Sequence, residues 1–206
     1  TESAVVALVG PWGSGKSTLL LAVEQEVTST GSWYVAKYNP WSYSTFDGAV
    51  AGFFSELRSA LPRDALGESR RAAIGKFGAR MAPVGALGGI FGVDATEGLR
   101  ELSRLIGGDT SPEALRDDAA RQLRSLDRPI LVLIDDLDRL EPSELLLTFK
   151  LVRLLGRLPR VYYVLSYDES TLEAVLGRTD LVGAEAGRAR DYLEKMVQVR
   201  IDVPPL

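Results

Sequence analysis

The 206-residue sequence contains neither cysteine nor histidine. Without cysteine there is no disulfide framework, no thiolate metal site and no thiol nucleophile. Without histidine the commonest general base and the commonest zinc ligand are gone, and with them any Ser-His-Asp triad. Long hydrophobic runs are missing too: no stretch reaches the roughly 20 apolar residues that a membrane-crossing helix needs, and no secretory leader is visible. Nor is positive charge in excess. The 24 Lys and Arg residues face 28 Asp and Glu, a net charge of −4, which argues against nucleic acid as the default partner. What remains is the chemistry of carboxylates, lysine, arginine, hydroxyls, backbone amides and a hard metal ion. Hydrophobic residues make up 46% of the chain and charged residues 25%, enough for one well-filled core. Thr1 is not a natural start, and the chain reads as a piece of a longer protein, incomplete at both ends.

Apolar runs bounded by glycine, proline or aspartate predict strands at 4–9, 33–38, 130–134, 161–166 and 196–203. Helical spacing predicts helices at 16–28, from Leu19, Leu20 and Val23; at 46–61, with Phe53, Phe54 and Leu57 inward; and at 112–126, opened by Pro112. Two more are expected at 143–155 and 169–176. Strands alternating with helices point to a parallel sheet covered on both faces. Residues 62–111 break the pattern and read as a glycine-rich insertion in a domain spanning 1–206. Within it, 70–93 carries Arg70, Arg71, Lys76 and Arg80 without any acidic residue. Ile74, Phe77, Met81 and Val84 would share a helical face. That stretch is read either as an interfacial helix on anionic lipid or, preferably, as a helix packed on the domain or a mobile excursion.

Gly10-Pro11-Trp12-Gly13-Ser14-Gly15-Lys16-Ser17-Thr18 follows the first strand and opens the first helix. It fits G-x-x-x-x-G-K-[ST], the phosphate-binding loop (Walker A). Glycines let the loop turn its N–H groups inward as an anion nest, and the helix adds its free amides and positive dipole end. Lys16 can reach the β- and γ-phosphates of a nucleoside triphosphate, Ser17 can place its hydroxyl on Mg²⁺, and Thr18 can touch the α-phosphate. A plain glycine-rich turn is the bland alternative.

The run ILVLIDD at 130–136 places two carboxylates at the C-terminal end of a buried strand, the edge at which open α/β sheets bind ligands. Asp135 suits the Mg²⁺-holding Walker B role, and Asp136 the orienting of an attacking water. The alternative is that both merely cap the next helix. The acidic neighbour of Asp135 suggests the P-loop division in which a further strand separates the two motif strands. The N-K-x-D of GTPases and the L-S-G-G-Q of transporter ATPases are absent. The Arg188-Ala189-Arg190 stretch imitates a kinase lid, but nothing announces an acceptor pocket.

GPWGSGKS with Trp12, YNPWSY with Asn39 and Trp41, IDDLDR at 134–139, VLSYD at 164–168 and YLEKMVQVRIDVPPL at 192–206 occur in this order. Together they resemble the KAP family of P-loop NTPases over nearly the whole chain. The resemblance implies ATP and Mg²⁺, a STAND/AAA-like core, and roles in signalling, bacterial defence or plasmid-related processes. It gives Lys16 and Ser17 the Walker A positions and Asp135 and Asp136 the paired Walker B acids. Asp138 and Arg139 complete the D-D-L-D-R, with Arg139 contacting nucleotide or a neighbouring subunit, or pairing locally with Asp138 or Glu141. Asp168 is read equally as a sensor of the γ-phosphate and as a helix N-cap, Trp41 as core, and Lys195 as lying at the same end of the domain. Many family members insert transmembrane helices between the two Walker blocks. Here the longest uncharged run in that interval, Met81 to Val93, has 13 residues.

The sequence therefore predicts an α/β P-loop NTPase three-layer sandwich, with a mostly parallel five-stranded sheet and an insertion between Walker A and Walker B. The leading function is Mg²⁺-dependent ATP hydrolysis driving a conformational switch, slow in this chain alone, with Lys16 and Asp136 as catalytic residues. The rivals are a nucleotide-dependent binding module with negligible turnover and, less favoured, a small-molecule kinase. Partners are expected to be ATP and other proteins or further copies engaged through the flanks, with no nucleic acid evident. The expected location is the cytoplasm, with a peripheral position on the inner face of the membrane as the disfavoured variant.

Overall fold

The computed structural model describes residues 3–63, 65–81, 112–155, 158–178 and 188–204. Their strands are β1 (Val5–Val9), β2 (Tyr34–Lys37), β3 (Ile130–Ile134), β4 (Val161–Tyr167) and β5 (Val199–Asp202). The helices are α1 (Lys16–Ser29), α2 (Phe46–Ala60), α3 (Ala65–Met81), α4 (Pro112–Arg124), α5 (Pro142–Leu155), α6 (Glu169–Leu176) and α7 (Arg188–Met196). Two 3₁₀ turns, Pro40–Ser42 and Leu137–Arg139, come after β2 and β3. The sheet order is β2-β3-β4-β1-β5 and every pairing is parallel. The two motif strands, β1 and β3, thus flank β4 rather than each other, as the paired acids suggest.

Strand alternation divides the core in two. Val5, Ala7, Val9, Ile130, Val132, Ile134, Tyr163, Leu165 and Tyr167 point to one face, where they pack with Phe53 and Leu57 of α2, Ile74 and Phe77 of α3, Leu123 of α4, Phe149 of α5, Leu172 of α6 and Leu193 of α7. Leu8, Leu131 and Leu133 point to the other face, where they meet Leu20 and the half-buried Val27 of α1. One layer thus holds six of the seven described helices and the other is α1 alone.

That asymmetry shows in α1. Of the three apolar residues that mark it in the sequence, Leu20 is buried, while Leu19 and Val23 are 44% and 40% exposed. A single helix lying across a sheet buries one narrow stripe (here Lys16, Leu20 and Val27), and a run as uniformly apolar as Leu19-Leu20-Leu21 does not say which residue fills it. Trp41, expected in the core, is 48% exposed, because the 3₁₀ turn at Pro40 buries the proline instead. The predicted strand 196–203 is also shorter, since Met196 ends α7. That helix carries Ala189, Leu193 and Met196 inward.

In the interval read as an insertion, the described part is α3. Its apolar residues Ala73, Ile74 and Phe77 are buried, with Phe77 meeting the Phe54 ring edge-on at 5.3 Å. Arg70 donates to the Ser125 carbonyl at 2.8 Å and Arg71 to that of Leu61 at 3.4 Å. Ile74 and Phe77, half of the face that would enter lipid, are therefore packed on the domain; the Met81 side chain and Val84 lie outside what the structure describes. Among the described residues no helix is long and apolar enough to cross a membrane. The seam between α2 and α3 is tight at Gly78, where an added Cβ would sit 2.5 Å from Phe54 Cγ. Gly78→Ala is therefore expected to destabilise the fold. Overpacking costs about 1–3 kcal/mol and outweighs the gain of about 1 kcal/mol in helix propensity, a net loss to be read as a lower urea midpoint.

Candidate functional site

The site lies at the C-terminal edge of the sheet, where β1, β4 and β3 end side by side. β1 ends at Val9, and Gly10 donates its N–H to the Tyr167 carbonyl of β4 at 3.3 Å. Only glycine fits there, because a Cβ would stand 2.6 Å from Ser14 Oγ and 3.0 Å from Val203 Cβ. The loop then closes with Ser14 N–H donating to the Pro11 carbonyl at 3.1 Å. Gly15 has φ of 88° and ψ of 16°, the left-handed conformation that brings the chain into α1 without a side-chain cap. The amides of the first helical turn are thereby left facing the loop. Ser17 and Thr18 are the second and third residues of α1.

Lys16 is buried, at 7% exposure. Its Nζ donates to the carbonyls of Gly10 at 2.9 Å and Pro11 at 3.1 Å. These are neutral acceptors, and among the described residues no carboxylate forms an ion pair with it. Ser14 Oγ beside it is buried with no hydrogen-bond partner. A buried ammonium without an anion, an orphaned hydroxyl and a glycine-lined loop at a helix N-terminus make a donor set that fits a phosphate chain.

β3 contributes the carboxylates. Asp135 Oδ1 accepts the Asp136 N–H at 2.9 Å. Asp136 itself adopts a left-handed φ of 56° and leads into the 3₁₀ turn without capping it. Its carboxylate therefore swings back over the turn, where Arg139 meets it at 3.2 Å. Arg139 thus pairs with Asp136, and not with Asp138 or Glu141 as the sequence suggested. Burial, then the neighbouring Asp135 charge, push the Asp136 carboxyl above its ordinary range, while Arg139 and Lys16 pull the other way. The ends of β1 and β3 flank that of β4, which brings the two motifs to one edge of the sheet. Among the described residues no three potential ligands cluster to hold a metal by themselves. Ser17 and Asp135 are the residues suited to share one with a phosphate chain, which is how Mg²⁺ is usually held.

Asp168 comes directly after β4 and caps α6, Oδ1 accepting from Thr171 N–H at 3.0 Å and Ser170 Oγ at 2.6 Å. These bonds, led by that from Ser170, hold its carboxyl below the ordinary range. The capping half of the sequence reading is therefore present, and Asp168 does more: Oδ2 accepts the Trp12 N–H of the loop at 3.2 Å, and its own N–H donates to Asp138 Oδ1 at 3.2 Å. Sequence reasoning missed both contacts, because each involves a backbone amide and leaves no residue-type signature. The Trp12 side chain is 80% exposed. Lys195 stands apart: it lies in the last turn of α7, close to Gln198, whose backbone and side chain bond Val5 at the start of β1. That is the opposite edge of the sheet, not the same one.

A parallel sheet with the loop after one strand, the acids after another, and a third strand between them defines a P-loop nucleotide-binding domain. A profile of the KAP family P-loop domain matches residues 1–206, and the chain belongs to that family. A curated relative, the phage T7 exclusion protein of Escherichia coli K12, is 37% identical over 102 residues, covering 50% of this chain and 13% of its own length. Among solved structures, Cdc6p of Pyrobaculum aerophilum matches 95% of this chain and 38% of its own at 15% identity and a TM-score of 0.42. The Aeropyrum pernix ORC1 protein, solved in complex with DNA, matches 99% and 40% at 15% identity and 0.38. ORC2 of the same organism, in ADPNP–ADP complexes, matches 98% and 42% at 12% identity and 0.41.

Proposed function

We propose that the domain binds ATP with Mg²⁺ and hydrolyses it as the driving or resetting step of a conformational switch. The observation that carries this reading is the buried Lys16 ammonium, held by two carbonyls of its own loop and unpaired with any described carboxylate. Leaving those carbonyls for the β- and γ-phosphates would give it the anion it lacks. The amides of Gly13 and of Gly15 to Thr18 would bind the phosphate oxygens, and Ser17 with Asp135 would hold Mg²⁺. The ion, when bound, neutralises charge developing on the phosphoryl oxygens. Asp136 would orient water in line with the γ-phosphate, its raised pKa making it a better proton acceptor than an ordinary aspartate. Asp168 and Arg139 stand near enough to these groups to report the phosphate state to the rest of the domain. A defence role fits the name of the curated relative and is carried over as part of this proposal.

One observation favours the rival reading, a binding module with negligible turnover: one oxygen of the Asp136 carboxylate is engaged by Arg139, which competes with the holding of water. Lys16→Ala tests the common core of both. One charge-assisted hydrogen bond is worth about 1.5–3 kcal/mol, so calorimetry is expected to show ATP affinity reduced roughly 10- to 100-fold, with the fold intact. Unchanged affinity would remove the loop from the nucleotide site.

A further inference from the structure

We propose that Asp138 is a positioning residue, which seats Asp168 so that its carboxylate anchors the nucleotide loop through the Trp12 amide. The loop has little else to hold its apex. At Gly13 and Gly15 an added Cβ would find nothing within 4 Å, and the Trp12 ring lies in solvent. The Ser14 and Lys16 hydrogen bonds run to acceptors in the loop itself. Beyond Gly10, and apart from bonds of the α1 helix that continues the loop, the hydrogen bond that ties the loop to a distant element, among the described residues, is the one Asp168 Oδ2 accepts from Trp12.

Asp168 is held on three sides. The Tyr167 carbonyl before it takes the Gly10 N–H on the β1 side. Its own N–H is taken by Asp138 Oδ1 on the β3 side, and its Oδ1 is committed to the first turn of α6. The backbone is extended there, at φ −88° and ψ 120°. The Gly10 donor and the Asp138 acceptor hold the two ends of one peptide plane, and together they set the direction in which Oδ2 points. Asp138 thus connects the turn that carries Asp135 and Asp136 to the loop that carries Lys16, through one backbone amide and one carboxylate. The role requires an acceptor oxygen at position 138, not a charge, so asparagine can supply it and alanine cannot.

The inference rests on the ATP-binding reading only for its affinity arm, and the first measurement needs no nucleotide. Amide hydrogen exchange on the whole chain without ATP is expected to show Trp12 exchanging several-fold faster in Asp138→Ala than in the parent, and near the parental rate in Asp138→Asn. Asp138→Ser, polar but too short to reach, replaces the alanine variant if that fails to fold. Calorimetry with ATP is then expected to show affinity about three- to tenfold weaker for the alanine or serine variant, the size of one neutral hydrogen bond, and restored by asparagine. Unchanged Trp12 exchange in the alanine or serine variant, or equally fast exchange in the asparagine variant, overturns the seat. Faster exchange with unchanged affinity overturns its bearing on nucleotide. A parent that binds no ATP defeats the proposed function instead, and the exchange result then decides the seat alone.

Discussion

Asp136→Asn is expected to bind ATP as the parent does, to lose about two to four orders of magnitude in single-turnover hydrolysis, and to melt at a higher temperature. The catalytic loss arises because an amide cannot take a proton and presents a donor where the carboxylate presents an acceptor. The gain in stability comes from the direction of the Asp136 pKa, raised first by burial and then by Asp135. A raised carboxyl means that the fold holds its proton more tightly than the unfolded chain does. Stability due to this group is therefore full below the ordinary value of 3.8 and falls as pH rises through the folded value. Asparagine removes that penalty and is among the residues that tolerate the left-handed φ of 56°. The lost Arg139 pair costs little, since that side chain is 63% exposed. The melting-temperature gap should close at pH below 3.8, where the parental carboxyl is neutral in both states. Hydrolysis at the parental rate would show that another group holds the water.

Phe53→Ala is expected to lower stability by about 3–5 kcal/mol, a large share of the 5–15 kcal/mol typical of a domain. Phe53 is 1% exposed and joins three elements. It stacks on Tyr163 of β4 at 6.1 Å and meets Tyr38, just past β2, edge-on at 5.6 Å and Phe54 at 5.5 Å. Truncation leaves a cavity between rings that cannot collapse without moving the sheet or α2. Phe53→Leu fills most of the space and should cost appreciably less. Urea denaturation of both variants gives the comparison; a midpoint unchanged by alanine would mean that the aromatic cluster is not what fastens α2 to the sheet. Lys16→Ala, read in the same way, should leave the midpoint nearly in place.

β1 to β4 were legible because each is a short, mostly apolar run stopped by a residue that breaks it, Gly10, Pro40, Asp135 or Asp168, whereas β5, Val-Arg-Ile-Asp with every residue exposed, blurred into the end of α7. The loop was legible because its glycines, lysine and serine have fixed spacing. Where several chemistries shared a pattern, the sequence ran out. α3 is hard to read because glycines at 75 and 78 lower its propensity, yet Gly78 is what lets α2 come close. The buried stripe of α1 could not be chosen from three successive leucines. The α7 helix did leave a signal, Ala189, Leu193 and Met196 at i, i+4 and i+7, which the flanking arginines and the β-branched residues after it obscured. The Arg139–Asp136 pair depends on a left-handed backbone at a non-glycine residue, and the Trp12–Asp168–Asp138 chain depends on peptide N–H groups. Neither can be deduced from residue identity.

The strand order also sets a sequence of events in time. β1, the footing of the nucleotide loop, is synthesised before either of its sheet partners, β4 and β5, which begin at Val161 and Val199. β2 and β3 can pair with each other long before, since neither needs β1. The loop therefore leaves the ribosome long before either strand it stands beside, and β5 follows β4. Pairings so distant along the chain are slow to close. The half of the sheet lacking the loop can be in place early, while the nucleotide site waits for strands made much later.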